Sequence, residues 1–235
     1  MSANTGTHLS SPVAIRTCND DHATPGAIRF PAWLKTGFWI CIAIAIAAVL
    51  RRASALLAAP GNNAPPQLAQ LDSWFATHAV LTWTHILVAL VFVCLLPFLF
   101  WSRTRAIPAF ERAFFVVGLA VGVTAYAMSL NAVGGWLERS AVLFFNTAFL
   151  VSLLQIYRYK QHGDATQQQR WMLRAVAILL GIATTRPVMG IFFATARFTH
   201  LTPHQFFGIA FWIGFSLNTI VIELWLRRAA GRFRI

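Results

Sequence analysis

Charged side chains are scarce in this chain of 235 residues: they make up 11% of it, and only seven are acidic. Hydrophobic residues make up 57%. Several apolar runs reach about 20 residues, the length at which a helix crosses the hydrocarbon core of a bilayer. Soluble domains are about one quarter charged, so the composition excludes an ordinary soluble domain. We predict a polytopic membrane protein surrounded by the lipid bilayer.

Cysteines are few, and the common motifs of soluble enzymes are missing. Cys18, Cys41 and Cys94 lie far apart, which argues against a disulfide framework or a structural zinc site. No GxSxG, HExxH, P-loop or GxGxxG motif supports soluble-enzyme chemistry. The formal net charge of +12 comes from basic residues between the apolar runs, where they set topology. No nucleic-acid partner is therefore expected.

Six apolar runs predict the fold class, an all-α bundle of six transmembrane helices. A polar segment, residues 1–31, precedes them and is expected to be a disordered cytoplasmic tail. Residues 32–228 form the predicted transmembrane domain, and residues 229–235 a basic cytoplasmic tail on the anionic inner leaflet. The predicted spans are Trp33–Leu50, Val80–Trp101, Ala113–Gly134, Ala141–Tyr157, Trp171–Ala194 and Gln205–Leu226.

The distribution of Lys and Arg predicts that both termini are cytoplasmic. Of the 19 Lys and Arg residues, 14 lie in the N-terminal flank, in the loops after spans two and four, and at the C-terminus. Four lie in the other loops, and Arg186 lies inside span five. Loops rich in Lys and Arg stay in the cytoplasm, and the even number of spans agrees with this pattern.

Four polar side chains inside the predicted spans share one layer, about 5 to 12 Å from the outer boundary at a rise of about 1.5 Å per residue. They are His85, Asn131, Asn146 and Arg186. An uncompensated arginine in hydrocarbon costs roughly 2.5 to 3.5 kcal/mol on insertion scales, so Arg186 requires a partner, water or a ligand. The layer predicts a polar pocket in the outer leaflet.

Pro187, which follows Arg186 directly, disturbs the hydrogen bonding of the predicted helix. Pro187 has no backbone N–H, so the carbonyl of Ala183 loses its normal helical donor. We expect that carbonyl to be met by Thr184, Thr185 or water.

Two further patterns concern packing and charge. Gly118 and Gly122 form a GxxxG pattern, which favours close packing of span three against a neighbouring helix. Glu223 precedes Arg227 by four residues, so the two are expected to form an ion pair near the membrane boundary.

The order of these residues resembles the DUF2306 family of bacterial membrane proteins. The resemblance covers about Ala79–Arg228 and rests on "THILVALVFVCLLPFLFWSRTRAIPAFERAFFVVG", "QQQRWMLRAVAILLGIATTRPVMG" and "FGIAFWIGFSLNTIVIELWLRR". In the family pattern, a histidine opens one helix, a proline-containing run closes it, and a Trp-Met pair precedes a helix with a further arginine. The matching residues here are His85, Pro97, Trp171, Met172, Arg174 and Arg186. The resemblance implies a multi-pass protein of the bacterial inner (cytoplasmic) membrane and no specific activity.

Two positions depart from the family pattern. Glu111 precedes Arg112, and Gln169 precedes Arg170, where the family has histidines. A family function that depends on histidines at these two positions is therefore not expected of this chain.

The polar layer favours a membrane electron-transfer or accessory module that binds a redox cofactor or a small lipophilic ligand. In one form, b-type haem is held by His85 and His204, and Arg186 meets a propionate. In the other form, a quinone carbonyl accepts hydrogen bonds from Arg186 and His85, and its ring packs against Trp83 or Tyr126.

Three alternatives stay open. His85 can have a structural role and hydrogen-bond Asn131 or Asn146 across the bundle. The pocket can belong to a transporter of small molecules or lipids, although no carboxylate inside the predicted spans is placed for proton coupling. The chain can also be a non-enzymatic structural or assembly subunit that contacts partner proteins of a membrane complex through its basic loops.

The predicted topology is tested by cysteine labelling in intact cells. The loop between spans one and two, where Leu68–Phe75 is expected to form a short interfacial helix, should be outside. A cysteine at Gln67 should therefore react with a membrane-impermeant maleimide in intact cells, and a cysteine at Asp164 only after lysis. The reverse pattern would contradict the positive-inside argument.

Overall fold

The computed structural model of the chain describes residues 31–57, 73–100 and 108–231. Within these residues all regular structure is helical, and six helices are long and apolar enough to cross a membrane. This confirms the predicted fold class. The six helices are α1 Ala32–Leu57, α2 Ala79–Leu95, α3 Pro108–Ser129, α4 Gly135–Gln161, α5 Ala165–Thr199 and α6 Pro203–Gly231.

Some expectations fall on residues that the structure does not describe. The N-terminal tail, apart from Pro31, and residues 232–235 of the basic tail lie outside the described residues. So does the beginning of the expected interfacial helix, whereas residues 73–77 are helical. Which end of the bundle faces the cytoplasm stays a prediction.

Several helices extend well beyond the apolar runs that predict them. α5 has 35 residues and continues through Pro187, and α4 begins at Gly135, six residues before the predicted span. A helix satisfies its own backbone hydrogen bonds in lipid and in water alike, so polar flanks prolong it where hydropathy gives no signal. The extension brings Glu138 and His204 into helices, whereas Asn131 lies in the turn after α3.

Five helices form a closed ring. α1 packs on α2, α2 on α3, α3 on α4, α4 on α5, and α5 again on α1. α6 packs against α4 and α5. The ring follows chain order, as expected for helices joined by short connections.

An aromatic cluster joins three helices of the ring. Phe92 of α2 is fully buried, and its ring stacks on that of Phe114 of α3, with 5.0 Å between the ring centroids. The ring of Phe149, on α4, meets Phe92 edge to face at 5.8 Å. Many large apolar side chains elsewhere are exposed, among them Val116, Leu119 and others on the outer faces of the helices. Such a surface suits contact with lipid.

Glycines allow neighbouring helices to approach closely. A Cβ built on Gly122 would lie 2.5 Å from Leu150 Cδ2 of α4, and one on Gly118 would lie 3.0 Å from Leu153 Cδ1. The GxxxG pattern therefore packs α3 against α4, as expected. A second close approach joins α5 and α6, where a Cβ on Gly214 would lie 2.7 Å from the backbone N of Thr185.

An ion pair also joins α5 and α6, near the start of α5 and the end of α6. Glu223 Oε1 accepts a hydrogen bond from Arg227 Nε at 3.4 Å, which bears out the expected pair. Arg174 of α5 adds two shorter bonds to the same carboxylate, at 2.9 and 3.3 Å. The carboxylate therefore links α5 to α6 rather than stabilising α6 alone.

The contact between α5 and α6 is tested with two alanine substitutions. Gly214→Ala should lower the free energy of unfolding by about 1 to 3 kcal/mol, because the new methyl group meets backbone that cannot rotate away. Gly190→Ala is the control, since a Cβ there meets nothing within 4 Å. It should stabilise the helix by about 0.5 to 1 kcal/mol. Equal melting temperatures for the two variants in detergent would contradict the close approach.

Candidate functional site

A cavity of about 240 Å³ lies within the helix ring. Side chains from α1 to α5 line it, together with Phe211 and Phe215 of α6. It extends from the end of the bundle where α1 ends and α2 begins to the middle of the helices. Arg52 and Phe75 lie at the first end, and apolar side chains such as Val93 form the deeper part.

The four residues of the predicted polar layer all line this cavity. They are His85, Asn131, Asn146 and Arg186. They come from α2, from the turn after α3, from α4 and from α5, so the ring brings together side chains that are far apart in sequence.

Arg186 carries its positive charge into the cavity without an ion pair. Its Nε atom is buried and has no hydrogen-bond partner. The residue follows Ile178 and Ile182 at spacings of four along α5, and all three line the cavity. The carboxylate of Glu138 acts on Arg186 electrostatically, but no nitrogen–oxygen distance between them is within 4.0 Å. The guanidinium is therefore free to bind an oxygen atom of a ligand or of water.

Glu138 is the functional candidate that the sequence analysis missed. Its side chain is only 8% exposed, lines the cavity, and accepts a hydrogen bond from the backbone N–H of Gly134 at 2.5 Å. The sequence analysis expected no carboxylate inside the spans that is placed for proton coupling, and it did not consider Glu138, because α4 begins before the predicted span and includes this residue. A signal was present: Glu138, Val142, Phe145 and Asn146 follow helical spacing and line the same cavity.

His85 is held by a neighbouring helix in one orientation. Its Nδ1 lies 2.9 Å from Oγ1 of Thr124, on α3. The single hydroxyl proton of Thr124 is donated to the carbonyl of Ala120 at 2.7 Å. The hydroxyl oxygen therefore accepts from Nδ1–H, and Nε2 of His85 keeps its lone pair. In the alternative left open by the sequence, His85 bonds to Asn131 or Asn146; in the structure its partner is Thr124 instead.

The hydrogen bonds of the two asparagines go to groups other than Arg186. Asn146 Nδ2 donates to the carbonyl of Gly122 at 2.8 Å, which links α4 to the close-packed part of α3. The backbone carbonyl of Asn131 accepts a hydrogen bond from Trp74 Nε1 at 3.1 Å. Neither asparagine therefore satisfies Arg186.

Three other predicted site residues do not line the cavity. Trp83 is partly buried on α2, outside the lining. The hydroxyl group of Tyr126 lies 2.7 Å from Thr147 Oγ1, where it links α3 to α4. His204 is exposed on α6, and its ring lies beside Gly135.

The threonines before Pro187 do not bind the carbonyl that this proline frees. Thr184 Oγ1 donates to Asn218 Oδ1 at 2.8 Å, and Thr185 Oγ1 donates to the carbonyl of Ile182 at 2.6 Å. Of the three partners expected for the carbonyl of Ala183, the two threonines were wrong, because each hydroxyl donates its single proton to another acceptor; water stays a prediction. The bond to Asn218 instead fastens α5 to α6 one turn before the proline.

A family model described as "Predicted membrane protein (DUF2306)" matches residues 82–226, more than half of the chain. The chain belongs to this family. The match confirms the resemblance inferred from the sequence, and the protein is an integral, multi-pass membrane protein. No curated protein matches the chain, and no solved structure does. The DUF2306 segment contains every polar residue of the cavity discussed above except Arg52, and it excludes α1.

Glu111 and Gln169, the positions where the sequence analysis expects histidines from the family pattern, line a second cavity. This cavity, of about 290 Å³, lies at the opposite end of the DUF2306 bundle and is lined by both Glu111 and Gln169. Glu111 forms an ion pair there with Lys160. In this chain the two positions therefore share a surface.

The role of Glu138 in the fold is tested by two substitutions. Glu138→Leu removes the acceptor for the Gly134 N–H and should lower the free energy of unfolding by about 1 to 3 kcal/mol. Glu138→Gln keeps an acceptor oxygen and should melt close to the wild type. A low melting temperature for both variants would mean that the charge, and not the acceptor, holds this turn.

Proposed function

We propose that this DUF2306 protein binds a small lipophilic molecule with a carbonyl or anionic oxygen, most simply a quinone, as a membrane electron-transfer or accessory module. The observation that carries the proposal is the guanidinium of Arg186, which lines a cavity with a buried Nε that no residue satisfies. Charged side chains inside membrane bundles commonly mark ligand or ion sites.

The polar groups of the cavity suit both redox states of a quinone. Arg186 donates hydrogen bonds, which a quinone carbonyl accepts. His85 Nε2 is a hydrogen-bond acceptor, which suits the hydroxyl group of the reduced form. The apolar depth of the cavity, with Val93 and Phe149, suits a ring or a chain. The ligand is thus oriented by a few polar groups in an otherwise apolar pocket, the usual design of small-molecule sites.

A quinone or a ligand of similar size fits this geometry better than b-type haem. Among the described residues, His85 is the one histidine that lines the cavity, and His204, its expected partner on the iron, does not line it. A cavity of about 240 Å³ also suits the single ring of a quinone better than the four pyrrole rings of a haem. A tetrapyrrole would require the helix ring to open.

Electron transfer by this route requires a second redox centre. The described residues contain no group of three or more His, Cys, Asp or Glu side chains that could hold a metal ion. A partner subunit of a membrane complex would then exchange electrons with the quinone. The DUF2306 chain would hold the quinol while its two electrons pass to the redox centre of the partner subunit and its two hydroxyl protons pass to His85 Nε2 and water.

Transport of a small organic anion is a second candidate, which Glu138 favours. A buried carboxylate and an arginine that line one cavity are the groups that proton-coupled transport requires. Uptake of a labelled carboxylate into proteoliposomes under a proton gradient separates the candidates, since a quinone-binding module gives saturable binding without uptake.

The proposed role of Arg186 is tested by titrating the protein in nanodiscs with decylubiquinone. Arg186→Leu should weaken binding by roughly ten- to hundredfold, the loss expected for hydrogen bonds from a charged donor. Arg186→Lys keeps the charge but loses the planar fork of donors, so its affinity should lie between those of the wild type and Arg186→Leu.

A matched control removes an arginine elsewhere. Arg228 is exposed near the end of α6, and Arg228→Leu should bind as the wild type does. Melting temperatures of all variants show whether each bundle is intact. If Arg186→Leu is folded and binds normally, the proposal fails. A large drop in its melting temperature, with no quinone bound by the wild type, would assign Arg186 to the scaffold.

A further inference from the structure

One wall of the cavity comes from a helix outside the family segment. The DUF2306 match begins at residue 82, whereas α1 ends at Leu57. Four α1 residues nevertheless line the cavity: Ala45, Ala48, Val49 and Arg52. Their spacing of three, four and seven residues places them on one face of the helix.

α1 lies between α2 and α5 and completes the helix ring there. α2 and α5 both line the cavity but make little contact with each other, while α1 packs on each of them. Without α1, the side of the cavity between α2 and α5 would face lipid. α1 therefore separates the cavity from the bilayer on that side.

The cavity-facing side of α1 has small side chains at two positions, Ala45 and Ala48. Ala45 is buried and Ala48 partly buried, and both line the cavity, whereas Ala43 and Ala47 are exposed on the outer side. Larger side chains at the two inner positions would project into the space that a ligand fills. The width of this space therefore depends on the small size of the two alanines.

The attachment of α1 differs on its two sides. Towards α2, the guanidinium of Arg52 lies 4.0 Å from the centroid of the Phe75 ring, a cation–π contact. Towards α5, the thiol of Cys41 lies 4.0 Å from Thr184 Oγ1, at the limit for a sulfur hydrogen bond.

We propose that α1 is the specificity-determining wall of the cavity, and that Ala45 and Ala48 set the size of the ring or head group that binds beside Arg186. This inference rests on the proposed function. It adds that selectivity comes from a helix outside the family segment, while the polar groups that hold the ligand come from within it.

The test compares two adjacent alanines of α1 in nanodiscs. Ala48→Leu places a larger side chain in the cavity and should weaken decylubiquinone binding about tenfold or more, the effect expected of overpacking. Ala47→Leu adds the same atoms on the lipid side and should bind as the wild type does. Both variants should keep the wild-type melting temperature within a few degrees.

A second ligand separates a change of specificity from general damage. Decylplastoquinone carries methyl groups where decylubiquinone carries methoxy groups, so its substituted head group is narrower. Ala48→Leu should lose less affinity for this ligand than for decylubiquinone, and Ala47→Leu should show no difference. Equal losses for the two quinones, or normal binding by Ala48→Leu, would overturn the role of α1 alone. If the wild type binds neither quinone, the proposed function fails, and the inference fails with it.

Discussion

A positive charge inside an apolar helix bundle requires an oxygen atom nearby, and Arg186 places this constraint on the whole structure. The guanidinium cannot lose its proton, and leaving it unsatisfied in hydrocarbon costs several kcal/mol. The described residues supply one buried carboxylate, Glu138, at a distance beyond an ion pair. In the function proposed above, a ligand in the cavity supplies the remaining compensation.

The surrounding contacts keep that charge in place. Pro187 weakens α5 next to the arginine, and α6 compensates through the Thr184–Asn218 hydrogen bond and the close approach at Gly214. Near the other end of the helix pair, Glu223 links α5 and α6 again. On the opposite side of the cavity, Thr124 fixes the ring of His85. The polar groups are therefore held in fixed orientations, which would lower the entropic cost of binding in the proposed function.

Hydropathy was sufficient to predict the helices and their number in the described part, because a bilayer imposes length and composition directly. The family was predicted separately, from the resemblance of three sequence segments to the DUF2306 pattern. The four residues of the polar layer were also predictable, since each interrupts an apolar run. Glu138 was missed because it lies beyond the apolar part of α4, where only helical spacing identifies its face. The bond of His85 to Thr124, and the place of α1 in the cavity wall, depend on which helices are neighbours. Sequence spacing within one helix contains no information on that.

The most direct test of the central claim is to extract what the protein carries when it is purified from its membrane. An organic extract of the wild type should contain a lipophilic carbonyl or anionic compound, in an amount comparable to that of the protein and with the redox-sensitive near-ultraviolet absorption of a quinone if that assignment holds. Folded Arg186→Leu protein, prepared in parallel, should yield much less of it. If the two extracts were identical, or if the wild type showed the Soret and α bands of haem, the account given for Arg186 and its cavity would be contradicted.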